Sequence, residues 1–410
     1  MRKKKVLKQK NYLKIYKILI VISLLLFVVV FLKFILNDKI TINEEKKINN
    51  INLTIKDNPQ YKLSLVMVGD ALIHDDIYLD ARINRGYDFT KMLSSIKEIV
   101  QNYDLAYYNQ ETILGGTEIG LSSYPAFNSP YEVGDAFVDA GFNLVSLATN
   151  HTLDRGTKAV INSRNYWNSK NGVLAVGSYS SSDEKSEIKI LNKNNISYTM
   201  LNYTYGTNGI KVPSGKEYLV NVWPVTSSNP NNDTKYQNYK EIVKNDISLV
   251  RDKVDLLIVA MHWGIEYQTT PNNYQKDMAN YLSSLGVDII IGTHPHVIQP
   301  IEWINDTLVI YSLGNFISAH EVINMDNRVG LMSSVNVTKT INEDKTTNIK
   351  IDNLNNELLY TYYTKNYKDF KVIPFSELTV EYLDNYRSIY PRYRDIITSL
   401  DSSISVNPID

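Results

Sequence analysis

The apolar positions of this chain fall into three textures. Residues 18–36 ("ILIVISLLLFVVVFLKFIL") carry a single charge, Lys33. As a helix at about 1.5 Å per residue they would span roughly 28 Å, close to a bilayer's hydrocarbon core. From Tyr61 onward, short continuous apolar runs end in polar residues: "YKLSLVMVGD", "DLAYYN", "FNLVSLATN", "DLLIVAMHWG", "VDIIIGTHPH" and "TLVIYSLGNF". Runs of this kind predict strands covered on both faces. Residues 90–103, 236–250 and 274–285 repeat their apolar positions at helical spacing. Strands alternating with helices predict an α/β domain. After Val329 the texture changes again. "VGLMSSVNVTKTI" and "TTNIKIDNLNNELLYTYYT" read as antiparallel strands around a polar turn at 343–345, followed by a helical tail at 377–400 broken at Pro391.

Charge assigns the first texture. Eight of the first 17 residues are basic and none is acidic, which leaves 35 basic against 44 acidic residues for the rest. A basic flank before an apolar span stays in the cytoplasm. The expectation is a cell-membrane protein with a single-pass anchor, a cytoplasmic N-terminus and an extracellular main domain. The apolar stretch is long for a signal peptide, and no small-residue cleavage site follows it. The expected divisions are a basic segment (1–17), an anchor (18–36), a polar stalk (37–60), one α/β domain (61–390) and a tail (391–410). The acidic body lacks the basic footprint of a nucleic-acid binder, so no nucleic acid is expected.

There is no cysteine. Thiolate catalysis, disulfides and Cys-based zinc sites are excluded, so any metal must be held by His, Asp, Glu or Asn. Ligands of α/β sheets bind beyond the carboxyl ends of the strands. The polar residues there are Asp70 and His74, Asn109 and Glu111, Asn150, His151 and Asp154, His262 and Glu266, then His294 and His296, and Asn315. Five of the six histidines stand at such positions, and His320 follows the last strand by a few residues. Imidazoles mixed with carboxylates and amides suit Zn, Mn or Fe. Six or seven candidate ligands are more than one tetrahedral ion needs and match two divalent metal ions. Asp154, three residues after His151, is placed to orient it, and Glu266 either to orient His262 or to stand as a surface charge. Asn109, Glu266 and Asn315 are the remaining candidate substrate contacts. In "GTHPHVIQP", Pro295 is expected to hold His294 in an extended backbone and Pro300 to limit the segment's mobility.

Taken together and in order, "VGDALIH", "NQE", "TNHTLDRG", "HWGIEY", "GTHPHVIQP" and "YSLGNF" resemble the CapA family of bacterial capsule proteins, named for poly-γ-glutamate synthesis and related to the calcineurin-like metallophosphatases. The resemblance covers about residues 62–375. It implies a metallophosphatase-like two-sheet sandwich flanked by helices, with a dimetal site at the strand ends. By position it makes Asp70, His74, Glu111, Asn150, His262, His294 and His296 metal ligands, with Glu111 bridging. His151 becomes the acid that protonates a leaving group. The chain departs from the usual pattern in four places, one being Asn109-Gln110-Glu111 for Asn-Leu-Glu. His74 lies four residues after Asp70 where metallophosphatases have Asp-x-His. Glu111 stands where they have Asp. Thr149-Asn150-His151 replaces Asn-Asn-His. The function implied is a metal-dependent hydrolase or transferase acting on an anionic surface polymer such as poly-γ-glutamate, with capsule synthase subunits as partners. The competing readings are a non-catalytic synthase or export subunit with a vestigial metal site, and a phosphodiesterase unrelated to capsule.

Overall fold

The computed structural model describes residues 2–52, 58–223, 229–320 and 324–409. The chain divides into two units, Met1–Pro59 and Gln60–Asp410. The first contains one helix, α1 (Arg2–Asn52). Within it Leu13–Thr41 is long and apolar enough to cross a membrane. The helix does not stop at Leu36 as expected. Residues 37–52 hold neither Gly nor Pro, so nothing in them ends a helix. The expected stalk is therefore helical to Asn52, and its residues 53–57 lie outside the described residues.

The second unit builds one sheet, leaves it for another, and returns. β1 (Gln60–Ala71), β2 (Leu105–Gln110), β3 (Leu144–Ser146) and β4 (Leu174–Val176) pair in parallel. The chain then lays down the second sheet: β5 (Leu191–Lys193), β6 (Ile196–Thr204), β7 (Leu256–His262), β8 (Ile289–Thr293), β9 (Ile301–Ile304) and β10 (Thr307–Ile310). β11 (Asn315–Ile317) pairs β1, and β12 (Val329–Ile341), β13 (Thr347–Tyr362) and β14 (Lys371–Pro374) complete the first sheet. The orders are β14-β13-β12-β1-β2-β3-β4 and β5-β6-β7-β8-β10-β9.

The continuous apolar runs are explained by what covers each face. Leu65 and Met67 of β1, Ile258 and Ala260 of β7, and Ile289 and Ile291 of β8 meet in one cluster between the sheets. The alternate residues Val66 and Val68 face outward, toward α3 (Ser94–Val100) and α4 (Glu132–Asp139), named after the short α2 (Asp75–Asp80). On this same side α5 (Gly156–Asn168) adds Trp167, and the short α6 (Ser182–Ser186) follows it in the chain. Leu257, Val259, Met261 and Ile290 face α7 (Thr234–Ser248) and α8 (Asn273–Ser284). Strand side chains alternate faces, so a strand with a layer on each side must be apolar at every position. The result is the expected two-sheet α/β sandwich flanked by helices.

Three expectations change. The run "TLVIYSLGNF" is two strands in different sheets, β10 and β11. The chain crosses between them at Gly314, whose φ of +66 is in the left-handed region. β6 and its loop, which no sequence feature above had marked, stand in the middle of the second sheet's edge region beside β7. Residues 391–410 are not a tail. α9 (Tyr386–Ile397) runs through Pro391, and Tyr386, Tyr393, Ile397 and Ile404 pack in the inter-sheet cluster with Leu358 and Tyr360. That burial holds the helix despite the missing N–H at Pro391.

The crossing leaves no room at Gly69. A Cβ there would lie 1.8 Å from the Gly314 carbonyl oxygen, while Asp70 N–H donates to the same oxygen at 3.0 Å. Gly69→Ala is expected to destabilise the domain by about 2–3 kcal/mol through forced overpacking, read as a lower urea midpoint. An unchanged midpoint would mean that β1 and β11 do not approach this closely.

Candidate metal centre

Strand parity brings the polar residues together. Leu105 and Tyr107 of β2 face the second sheet, so Asn109 does too; Leu144 places Ser146 likewise, and Ile291 places Thr293. Asp70 needs a correction of register. Val68 and Ala71 both face the helices, which alternation forbids unless a residue is inserted between them. The pairing of β1 with β2 is irregular between Met67 and Asp70. Such a bulge re-aims the following side chain, and here it turns Asp70 inward. Asp70 Oδ1 accepts from Asn109 Nδ2 at 2.8 Å, and its Oδ2 accepts the His294 backbone N–H at 3.2 Å.

Glu111 is the first residue beyond β2 and is fully buried. Neither carboxylate oxygen has a hydrogen-bond partner. Its Oε1 lies 3.5 Å from His262 Nε2 and 3.6 Å from His296 Nε2. These separations are long for hydrogen bonds. They match the roughly 3.4 Å between two ligand atoms held tetrahedrally at metal bonds of about 2.1 Å. Glu111, His294 and His296 bring ligand atoms within 4.8 Å of one another. His294 Nδ1 is likewise buried without a partner. Orphaned carboxylate oxygens facing imidazole nitrogens fit a divalent cation, and nothing else in the described residues satisfies them.

The remaining atoms of these ligands are fixed by neighbours. His262 Nδ1 contacts Thr293 Oγ1 at 3.0 Å and its Nε2 contacts Asn150 Oδ1 at 2.8 Å. His296 Nδ1 faces Asn315 Oδ1 at 3.0 Å and Asp70 Oδ2 at 3.5 Å, leaving Nε2 toward Glu111. Electrostatics follow burial. Desolvation pushes the Glu111 carboxyl well above the usual range and holds the His262 and His294 rings well below theirs. Burial alone would lower His296, but the Glu111 and Asp70 carboxylates raise it to about 9.

The backbone of "THPH" differs from expectation. His294 is not extended. Its φ is +96 and that of His296 is +59, both in a region that L-residues rarely occupy. The Asp70 carboxylate catches the His294 N–H, and Tyr267 N–H donates to the Pro295 carbonyl at 2.8 Å. Strain held by surrounding bonds is common at functional sites.

Beside this cluster lies a second pair. His151 Nδ1 is 2.7 Å from Asp154 Oδ2, with both side chains nearly buried. Asp154 also accepts the Phe127 N–H at 2.7 Å, and the Phe127 ring meets the His151 ring edge-on. The carboxylate contacts Nδ1 and so fixes the orientation of the imidazole. Asn208 bridges this pair to the cluster. Its Oδ1 accepts from Asn150 Nδ2 at 3.1 Å, and its Nδ2 lies 3.2 Å from His151 Nδ1.

Other expected residues fall elsewhere. His74 precedes α2, and its Nδ1 accepts the Ala319 N–H at 3.1 Å, so only Nε2 is left for a metal. Burial lowers its ring to about 4. Its neighbour is His320, with ring centroids 5.1 Å apart, and His320 is in turn 5.1 Å from His296. His320 thus joins the site although its sequence position, past the last strand, did not mark it. Asn109 and Asn315, expected as substrate contacts, lie inside the fold with their side chains committed to protein partners. Both are buried; Asn109 accepts from Ser146 Oγ at 2.6 Å and donates to Asp70, and Asn315 spends its atoms on His296 and the Asn327 carbonyl. Glu266 does not orient His262, whose Nδ1 is held by Thr293 Oγ1. It is exposed at the rim, where burial and then the charges of Glu266 and Glu111 push the Tyr267 hydroxyl up to about 12.

Fold and site together define a two-sheet α/β protein with a buried carboxylate–imidazole cluster at the strand ends. The family described as bacterial capsule synthesis protein PGA_cap matches residues 64–320, and the chain belongs to that family. It is 33% identical over 181 residues to the PGA biosynthesis protein CapA of Bacillus subtilis (44% of this chain, 43% of that protein). It is 26% identical over 275 residues to the capsule biosynthesis protein CapA of Bacillus anthracis (64% of this chain, 61% of that protein). The chain thus spans less than two thirds of these curated relatives. Among solved structures, it is similar to a 5′-nucleotidase of Candida albicans, with 14% identity, a TM-score of 0.36, and coverage of 72% of this chain and 52% of that one. It is also similar to a purple acid phosphatase of yellow lupin, with 11% identity, a TM-score of 0.33, and coverage of 76% and 54%.

If Glu111 is kept for a cation, removing its charge should cost nothing without one. Metal-free Glu111→Gln is expected to melt at or above the metal-free parent, because a buried unpaired carboxyl is removed. Added Mn²⁺ or Zn²⁺, which should raise the parent's Tm, should no longer do so. Loss of stability in the metal-free variant would instead make Glu111 a structural group.

Proposed function

We propose that this chain is a membrane-anchored, extracytoplasmic enzyme of capsule metabolism, using two divalent metal ions to hydrolyse or transfer a bond of a surface polymer such as poly-γ-glutamate. The observation that carries the reading is the orphaned Glu111 carboxylate facing His262 and His296, with the oriented His151–Asp154 pair alongside. Asp70, His296 and Glu111 would hold one ion; Glu111, Asn150, His262 and His294 the other. Such ions, Zn, Mn or Fe by their donors, supply an activated water and neutralise charge developing on the attacked group. The chain's own residues do the rest. Asp154 keeps the His151 proton on Nδ1, so Nε2 is free to carry a proton to or from the leaving group. Asn109 and Asn315 hold Asp70 and His296 in place. The capsule assignment is supported by the family and its two Bacillus relatives. The basic residues before the apolar part of α1 support an N-terminus in the cytoplasm and a domain outside, where synthase subunits of the same membrane would be its partners.

The His74 spacing favours a second reading, a non-catalytic synthase subunit. The full chain, purified in detergent, separates the two. One to two metal equivalents are expected, falling below half an equivalent in His294→Ala/His296→Ala. Cleavage or transfer of γ-linked glutamyl oligomers is expected to fall at least 100-fold in His151→Ala. Less than one metal per chain, unaffected by the double substitution, would overturn the metal centre. Unchanged polymer amount and length in cells carrying His151→Ala would support the subunit reading.

A further inference from the structure

A cavity of about 370 Å³ lies beside α7, and none of the residues of the metal centre lines it. That volume suits one small molecule. One wall is a stripe of α7: Lys235, Asn238, Tyr239, Ile242 and Asp246 recur at helical spacing and so share a face. The facing wall is Lys185 of α6 together with residues of the segment 212–222.

Two opposite charges of this lining are half-buried and incompletely served. Lys185 Nζ reaches the Glu217 carbonyl oxygen at 3.5 Å, which is long for a hydrogen bond. The Glu217 carboxylate is turned elsewhere and accepts the Gly215 N–H at 3.0 Å. Asp246 Oδ2 accepts from the Tyr203 hydroxyl at 2.9 Å, while its Oδ1 has no hydrogen-bond partner among the described residues. Burial pushes the Lys185 ammonium below its usual range and the Asp246 carboxyl above it. The two attract each other across the cavity, yet among the described residues no ion pair joins them. Between the charges the lining is apolar. Ile242, one turn before Asp246, is 51% exposed, and Val212 and Val222 belong to the facing wall. These features select among ligands. A polyanion would meet Asp246 and Glu217, and a simple cation would meet Lys185 and Lys235. An uncharged molecule would leave both half-buried charges without partners. A small zwitterion with an apolar body satisfies all of them.

We propose that this cavity binds a free α-amino acid with an aliphatic side chain. The ammonium of the ligand donates to Asp246 Oδ1, its carboxylate accepts from Lys185 Nζ, and its side chain covers Ile242. The site stands apart from the metal centre and does not depend on the polymer reading above.

The test uses the full chain in detergent and reads binding by calorimetry. The probes are L-leucine, isocaproate, which lacks the ammonium, and isoamylamine, which lacks the carboxylate. Leucine is expected to bind, and each analogue to bind about tenfold more weakly, the worth of one charged hydrogen bond. Lys185→Met and Ile242→Ser change side chains on surface helices and are not expected to disturb folding. Asp246→Asn keeps an acceptor for the Tyr203 hydroxyl, and its Tm is checked. Lys185→Met and Asp246→Asn should each weaken leucine binding about tenfold, and Ile242→Ser about threefold to fivefold through lost apolar burial. His294→Ala/His296→Ala should bind leucine as the parent does, so loss of the metal centre and loss of this site are separable. No leucine binding by the parent overturns the site, as does leucine binding unchanged in both Lys185→Met and Asp246→Asn. Isocaproate or isoamylamine binding as tightly as leucine overturns the zwitterion.

Discussion

The arrangement depends on one buried group, the Glu111 carboxyl, sealed between two sheets with no protein donor aimed at it. Burying an ionisable carboxyl without compensation is expensive, and proteins normally pair it or let it neutralise. Here the nearest polar atoms are imidazole nitrogens at separations suited to a shared cation. The fold sustains this because the scaffold around it is over-determined. The strands on both sides are apolar at nearly every position, so their ends cannot shift without exposing a core. The cost is borne by the whole sandwich and not by the loop that carries Glu111.

That constraint explains why the site needs both sheets. Asp70, Glu111, Asn150 and His151 lie at or just past the ends of strands of the first; His262, His294 and His296 lie at or just past the ends of strands of the second. Polar side chains stitch the sheets together where the ligands meet. Asn202 of β6 accepts the backbone N–H groups of Leu147 and Ala148, at 3.0 and 2.5 Å. The Asp70 carboxylate reaches across to the His294 backbone. Thr149 Oγ1 donates to the Glu111 carbonyl and accepts the His151 N–H, which ties the acid of one loop to the imidazole of the next. The threonine found where the wider pattern has asparagine therefore has a structural task.

Much of this was legible in the chain because both signals are local. A run such as "VDIIIGT" reveals a doubly covered strand by its own composition, and the polar residue just past it is placed by strand geometry alone. This is why the sequence alone places His262, His294, His296 and Glu111 at strand ends. What stayed hidden depends on contacts distant in sequence. The bulge that turns Asp70 inward is set by Gly314 pressing on Gly69, some 245 positions away. The positive φ of His294 and His296 reverses the extended backbone that Pro295 suggested, since tertiary bonds to Asp70 and Tyr267 outweigh a local preference. β6 was missed because its nine residues mix Tyr, Asn and Thr with few aliphatics, and Asn208 went with it. The Asn-Gly step after "YGT" was the available signal, since that pair favours a left-handed turn.

The altered spacing between Asp70 and His74 bears on whether the centre is a relic. The bulge lengthens the end of β1, and β11 then hooks that end from the other side. His74 is carried to the start of α2, where its Nδ1 is spent on the Ala319 backbone. The same hook brings His320 between His74 and His296. Burial lowers the His320 ring, and its Nε2 lies 3.1 Å from Asn315 Nδ2. A decaying site would shed the expensive features first: the unpaired carboxyl, the two left-handed histidines and a buried aspartate spent on orienting one imidazole. All are present together. Their joint cost is hard to account for if the cluster only braces the fold, because apolar residues of similar size would brace it better.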